Sequence, residues 1–431
     1  MEFKIRTKNK ILSNIYEQIG QIKKYESLVQ AFVPGTFNSL RILNDYENSN
    51  SKSELFGLLL GIKDIINVDR YATHCGSNLP GKLFLKKQAS CVTRLLDAGA
   101  IVAGKTVTSE FAISDPGPTR NPRNLSYSPG GSSSGSAAAV AAGFCDIALG
   151  TQTSGSVIRP AGYCGVIGFK PSFGRVALDG VLPYSKSMDH IGLFSKDIST
   201  LALTLPILIC DWKNMKTDSN KKLVVGLPVG SYLDLAKPHV RAQLDESLKT
   251  LMDSGIDLKP LVLCENIHFH NKNHDLIANA ELYKFHKHWS EKYWDLYKPA
   301  SRKMLTFGKS VSKQQLSRGL LQAQIMQKKI QQLMTDNLID VWIAPVAPDL
   351  APRGLSSTGD YSMNAFWSYA GLPCLSLPTG VNNLNLPYSV QIIGKHGHDE
   401  QVVKAAIYIN SLIGITGITC DWDRTASDLL E

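Results

Sequence analysis

Apolar and polar residues alternate along this chain in two distinct rhythms. Residues 10–31 place Ile11, Ile15, Ile19, Ile22 and Leu28 at helical spacing, which predicts an amphipathic helix near the N-terminus. Residues 36–53 are polar and read as a loop. Residues 55–70 (LFGLLLGIKDIINVDR) form an apolar run of the kind that makes a buried strand, with Lys63 set inside it. Residues 90–112 predict a helix, a glycine turn, a strand and a loop. An Ala-rich helix follows at 137–143, then a short buried strand at 147–150. Residues 176–196 read as loop. Beyond them come a helix at 198–211, a strand at 223–228, a helix at 238–254 and a strand at 257–263. Strand patterns return at 341–344, 375–377 and 390–393, and 401–414 predicts a closing helix. Strands alternating with helices place the chain in the α/β class. No internal repeat or linker divides it. The expectation is one domain over 1–431, with an N-terminal helical segment at about 10–31 and a basic helical insertion at about 266–335.

The densest chemistry lies in residues 128–175, where Gly/Ser clusters at 130–136 and 154–156 flank the Ala-rich helix and its strand. A flexible linker would be bordered by polar, low-complexity sequence, and this segment is not. Glycine permits close backbone approach, and serine brings hydroxyls to the ends of regular elements.

At 431 residues, 43% hydrophobic and 19% charged, the chain can bury a large core. Much of its +9 charge falls in the insertion, as on a solvated basic face, and no nucleic-acid module accompanies it. The eight cysteines lack metal-like spacing and suit reduced thiols in a cytosolic protein. His268, His270, His274, His286 and His288 lack partners at ligand spacing, which predicts solvated histidines on a helix surface and no metal. The opening MEFKIRTKNK has no signal-peptide core, and no apolar run approaches a membrane span, so a cytoplasmic protein is expected.

Several motifs compete for the chemistry. Residues 99–106 spell the phosphate-loop pattern GxxxxGKT, but its middle, Ala100-Ile101-Val102-Ala103, is a strand-forming run rather than an open loop. Residues 131–135 spell GxSxG, yet the buried strand that a nucleophile elbow requires is missing before it. Ser310 and Lys313 spell SxxK among charged residues without companion motifs. The remaining option joins Ser156 to Lys63 through a serine of the first cluster.

GIKD (61–64), AGAIVAGKTVTSEFA (98–112), PGGSSSGSAAAVAAG (129–143), GTQTSGSVIRPA (150–161) and CGVIGFKPSFG (164–174) together resemble the blocks of the amidase signature family, in order. Weaker likeness continues through SMDHIGLF, APVAP (344–348) and GLPCLSLPTG (371–380). The resemblance implies a large central mixed, twisted sheet flanked by helices, and an amide hydrolase with a Ser–Ser–Lys triad. Ser156 would be the nucleophile, Ser132 the bridging serine after a cis peptide bond, and Lys63 the base. Backbone N–H groups across Thr153, Ser154, Gly155 and Ser156 would form the oxyanion hole. An acyl-enzyme would be resolved by water without metal or organic cofactor. Lysine can take a serine's proton only when neutral, and the apolar LLLGIKDII setting suits that state.

Gln152-Thr153-Ser154-Gly155 departs from the Asp-Thr-Gly-Gly of many members. The acidic residue expected shortly before AGLP in a glutaminase subunit of a tRNA amidotransferase is replaced by the neighbourhood of Tyr361 and Asn364. The likeness is therefore to free-standing amidases of small amides, ureas or carbamoyl compounds, with Phe366, Trp367 and the loop after Gly354 expected to form the substrate pocket. The alternatives are a glutaminase-like subunit of an amidotransferase complex and a catalytically silent protein of this fold. A small-molecule amide is the expected partner, with a homodimer left open and neither nucleic acid nor membrane. Arg159 and Lys170 are expected to be structural, pairing with Asp64 or Asp146, and Asp189 and His190 to stand outside any Ser-His-Asp triad.

Overall fold

A computed structural model describes residues 7–113, 115–213, 222–413, 420 and 422. Residues 1–6 of the opening segment, and the last residue of the expected closing helix, lie outside the described residues.

The strands are β1 (Leu59–Lys63), β2 (Ile101–Thr106), β3 (Ile147–Gln152), β4 (Ile167–Lys170), β5 (His190–Ser195), β6 (Val224–Val229), β7 (Asp257–Val262), β8 (Val341–Pro345), β9 (Cys374–Val381) and β10 (Pro387–Ile393). They form one mixed sheet in the order β2-β1-β3-β5-β4-β9-β10-β8-β6-β7. β1 runs parallel to β2 and β3 at one end, β6 parallel to β7 and β8 at the other, and the middle is antiparallel. Every residue of β1, β2 and β3 is buried, as expected of strands covered on both faces.

The helices are α1 (Lys8–Val29), α2 (Ser39–Glu47), α3 (Ser90–Asp97), α4 (Ser134–Ala141), α5 (Ile158–Cys164), α6 (Ile198–Leu208), α7 (Pro238–Asp253), α8 (Ile267–Tyr293), α9 (Pro299–Ser310), α10 (Lys313–Asp336), α11 (Ser362–Tyr369) and α12 (Asp399–Ile413). The isoleucine stripe of α1 shares a core with the alanines of α4, whose short side chains let the two layers close on the sheet. Both Gly/Ser clusters therefore end on fixed scaffold. Lys63 terminates β1, the second cluster follows β3, and the first opens α4.

Three segments depart from the sequence expectation. The polar stretch 36–53 contains α2, capped by Asn38, whose Oδ1 accepts from Arg41 N at 3.0 Å; it buries only Ile42, so its apolar stripe is too thin to register in the sequence. The supposed loop 176–196 supplies β5, a fully buried strand inserted between β3 and β4. The basic insertion consists of α8, α9 and α10, but its histidines are not all solvated: His270, His274 and His286 are buried. His286 Nδ1 lies 3.0 Å from the Tyr297 hydroxyl, and burial pushes its imidazole down to about 3. Among the described residues no three His, Cys, Asp or Glu side chains gather to hold an ion, and no helix is long and apolar enough to cross a membrane.

Candidate active site

Lys63 is the last residue of β1, with no exposed surface. Its Nζ lies 2.7 Å from Ser132 Oγ, 2.8 Å from Thr151 Oγ1 and 3.4 Å from the Thr151 carbonyl oxygen. Burial holds its ammonium pKa well below the ordinary lysine range, opposed only by the charge of Asp189.

Ser132 follows a cis peptide bond with Gly131. Its carbonyl accepts from Ser109 N at 3.2 Å, tying the first cluster to the strand-end segment after β2. Ser133, the central serine of GxSxG, is committed elsewhere: its hydroxyl donates to the Thr151 carbonyl at 3.2 Å. Gly135 has to be glycine, because a Cβ there would lie 2.2 Å from the Ala31 carbonyl and 2.3 Å from Val107 N.

Ser156 sits between β3 and α5. It lines a cavity of about 340 Å³ together with Ser154, Arg159, Tyr184, Met304, Thr358 and Tyr361. The loop carrying it is clamped from several sides. The Gln152 side-chain oxygen accepts from Val157 N at 2.8 Å and Ile158 N at 2.9 Å, so a side chain supplies the acceptor for the opening of α5. Gln152 Nε2 donates to Ser368 Oγ at 2.9 Å, and that hydroxyl donates to the Ser154 carbonyl at 2.7 Å. The Thr153 hydroxyl donates to Asp189 Oδ1 at 2.5 Å, and His274 Nε2 meets the Thr153 carbonyl at 3.1 Å. Gly155 packs on Asn364, where a Cβ would come within 2.6 Å of Oδ1.

Asp189 and His190 face different partners. Asp189 Oδ2 accepts from the N–H groups of Tyr184 and Ser185 at 2.8 and 3.0 Å, and burial raises its carboxyl to about 6. His190 Nδ1 lies 3.1 Å from the Gln152 carbonyl, and burial pushes its imidazole well below the usual range. They do not form a relay to a serine.

Two expectations need correction. Phe366 and Trp367 do not line the cavity: both are fully buried on α11, where Trp367 Nε1 donates to the Tyr232 hydroxyl at 2.7 Å and Phe366 packs edge-on to His270. Their helix faces the protein core, while Ser356, Ser357, Thr358 and Gly359, in the loop after Gly354, do line the cavity. Arg159 and Lys170 pair with neither Asp64 nor Asp146. Asp64 is taken by Lys105 and Asp146 by Lys196. Lys170 Nζ instead donates to the carbonyls of Leu372 and Pro171 at 2.6 and 3.0 Å, and Arg159 reaches into the cavity.

The other motif matches take ordinary structural roles. Residues 101–106 are strand β2, and Ser310 ends α9 with its hydroxyl on the Phe307 carbonyl. Sequence patterns do not single out Thr151 and His274. Thr151 lies within GTQTSGSVIRPA, but nothing in the polar helix around His274 signals its contact with Thr153.

The amidase family model (Amidase) matches residues 10–403. A Glutamyl-tRNA(Gln) amidotransferase subunit from Geobacter metallireducens is 30% identical over 404 residues, covering 82% of this chain and 82% of that protein. Among solved structures, a chain of the vestigial complex described as revealing the origins of an s-triazine catabolic enzyme superposes with a TM-score of 0.86 at 25% identity, over 95% of this chain and 96% of that one. The native peptide amidase of Stenotrophomonas maltophilia shares the fold, with a TM-score of 0.80 at 22% identity over 96% and 95% of the two chains.

Proposed function

The chain belongs to the amidase family, and from that membership we propose that it hydrolyses a small carboxamide through an acyl-enzyme on Ser156, with Ser132 and neutral Lys63 relaying the proton. The observation that carries this reading is the set of contacts at Lys63 Nζ. A neutral amine has two N–H groups and one lone pair. The two N–H groups suit Thr151 Oγ1 and the Thr151 carbonyl, at 2.8 and 3.4 Å, and the lone pair suits the Ser132 proton across 2.7 Å.

In this mechanism Ser156 Oγ attacks the amide carbon as its proton passes to Ser132 Oγ and the Ser132 proton passes to Lys63 Nζ. The carbonyl oxygen becomes an oxyanion held by backbone N–H groups of Thr153, Ser154, Gly155 and Ser156. Collapse breaks the C–N bond, and the relay returns a proton to the departing nitrogen. Water then attacks the acyl-Ser156 ester by the same relay and releases the acid. The network around Gln152, Thr153 and Ser154 would hold the oxyanion loop without reorganisation during the reaction. Cys75, Cys91, Cys145, Cys164, Cys264 and Cys374 are buried, which supports reading them as reduced thiols of a cytoplasmic protein.

A second reading is favoured by the names of the relatives: a subunit that releases ammonia from glutamine for a partner. The purified chain distinguishes the two. Ammonia release would be measured from simple carboxamides and from glutamine, with Ser156→Ala as control. The amidase reading expects Ser156-dependent turnover of a carboxamide by the chain alone. Turnover restricted to glutamine and dependent on a second protein would replace it with the subunit reading.

A further inference from the structure

His190, His270, His274 and His286 are the buried histidines among the described residues. Three of them leave one ring nitrogen without a hydrogen-bond partner: Nε2 of His190, Nδ1 of His270 and Nε2 of His286. A neutral imidazole, with one N–H and one lone pair, suits such a setting. His274 differs. It has no exposed surface, and each of its nitrogens faces an accepting oxygen. Asp275 Oδ1 stands 3.0 Å from Nδ1, and the Thr153 carbonyl 3.1 Å from Nε2. An acceptor at each nitrogen calls for a proton on each, which is the imidazolium. Its counter-charge is Asp275, whose side chain is 40% exposed to water and whose Oδ1 also accepts from the Tyr361 hydroxyl at 3.1 Å. The other charged groups of the neighbourhood have partners or positions of their own. Asp189 accepts from the Thr153 hydroxyl, Glu281 from the Ser185 and Ser187 hydroxyls, and Arg159 donates to the Gly131 carbonyl. Lys272 lines the outer cleft together with Asp275.

The Thr153 carbonyl and the Ser154 N–H belong to one conjugated peptide group. A cation hydrogen-bonded to that carbonyl draws electron density through the amide, which makes the Ser154 N–H a stronger donor. That N–H is one of the groups assigned to the oxyanion hole. We propose that His274 is a positioning residue: as an imidazolium paired with Asp275, it acts through the Thr153–Ser154 peptide to hold and strengthen the oxyanion hole. This inference rests on the amidase reading and adds to it a residue from the basic insertion. Negative charge develops on the substrate oxygen only as Ser156 attacks, so the contribution of His274 belongs to kcat rather than to KM.

Two readouts test it. In wild type labelled with nitrogen-15 histidine, both ring nitrogens of His274 should show protonated chemical shifts at neutral pH, the ring being assigned by its loss in His274→Gln. An unprotonated nitrogen on that ring overturns the proposal. Asp275→Asn removes the counter-charge and should leave His274 with a single ring proton, and retention of both overturns the pairing. The second readout is the rate at which a fluorophosphonate labels Ser156, because the probe's phosphoryl oxygen occupies the oxyanion position. His274→Phe removes donor and charge and should slow labelling about 30-fold, while His274→Gln keeps a neutral donor and should regain part of that loss. On a carboxamide that wild type turns over, both variants should lose kcat with KM within about twofold. Labelling of either variant at the wild-type rate, or a loss confined to KM, overturns the role in the oxyanion hole. A wild type that neither labels at Ser156 nor cleaves an amide overturns the amidase reading beneath it, whereas the protonation of His274 is decided by its own spectrum.

Discussion

Two lysines end side by side on neighbouring parallel strands and meet opposite fates. Lys63 closes β1, and Lys105 is the penultimate residue of β2, with Ile62 and Lys105 partners in register. Neither has exposed surface. Lys105 Nζ lies 3.0 Å from Asp64 Oδ1 and 2.8 Å from Thr73 Oγ1, so its charge is matched within the fold. Lys63 is met by two hydroxyls and a carbonyl, and Asp189, whose charge reaches it, is itself drawn to about 6 by burial. Burial alone therefore does not make a base. A lysine surrounded by hydroxyls can be neutral and accept a proton, whereas one beside a buried carboxylate serves the fold.

That contrast is most easily broken at Lys63. Lys63→Met and Ser156→Ala should each lower kcat by about 10⁴-fold while the far-ultraviolet spectrum and the denaturation midpoint stay near wild type. Unfolding of Lys63→Met would mean that Lys63 is structural like its neighbour. Lys105→Met should do the reverse. It strands Asp64 in the interior and should cost about 3 kcal/mol in chemical denaturation, with less than a tenfold change in kcat for the folded enzyme. The double variant Lys105→Met/Asp64→Asn should recover part of that loss, and a further fall would contradict the pairing.

The contrast between these lysines is only half legible in the sequence. Lys63 stands out because a charged residue interrupts an apolar run, and the ordered blocks of residues 61–174 point to Ser132 and Ser156. The partner of Lys105 is hidden because Asp64 and Lys105 are 41 residues apart and meet only through strand register. Arg159 reads as a purely structural side chain for the same reason: its surroundings come from Gly131 and Thr358, far along the chain. Phe366 and Trp367 mislead in the opposite direction. The likeness to free-standing amidases puts them in the expected pocket, yet on α11 they face Tyr232 and His270 in the core. β5 escapes the pattern because its short run, HIGLFS, sits in a segment rich in turn residues, and its burial is set by β3 and β4 on either side.

A smaller effect sharpens the electrostatics. The proposed relay requires neutral Lys63, so kcat/KM should rise with pH through the pKa of that group. The Asp189 charge raises this pKa, so its removal must lower it. Asp189→Asn can keep the local bonds, with its oxygen accepting from Tyr184 and Ser185 and its amide donating to the Thr153 hydroxyl. Its acid limb should therefore move to lower pH, and a move to higher pH would contradict the assignment of Lys63. The smallest expected effect is that of EDTA. Activity should stay within about twofold of the untreated enzyme, since in the proposed relay a hydroxyl and an amine activate the nucleophile.

The central claim, that Lys63 and not its neighbour activates Ser156, is tested most directly by intact-mass analysis after brief exposure to a fluorophosphonate. Wild type and Lys105→Met, assayed while folded, should each gain one adduct on Ser156, and Lys63→Met and Ser156→Ala should gain none in the same time. Labelling of Lys63→Met at the wild-type rate, or an adduct on Ser133 that survives Ser156→Ala, would contradict it.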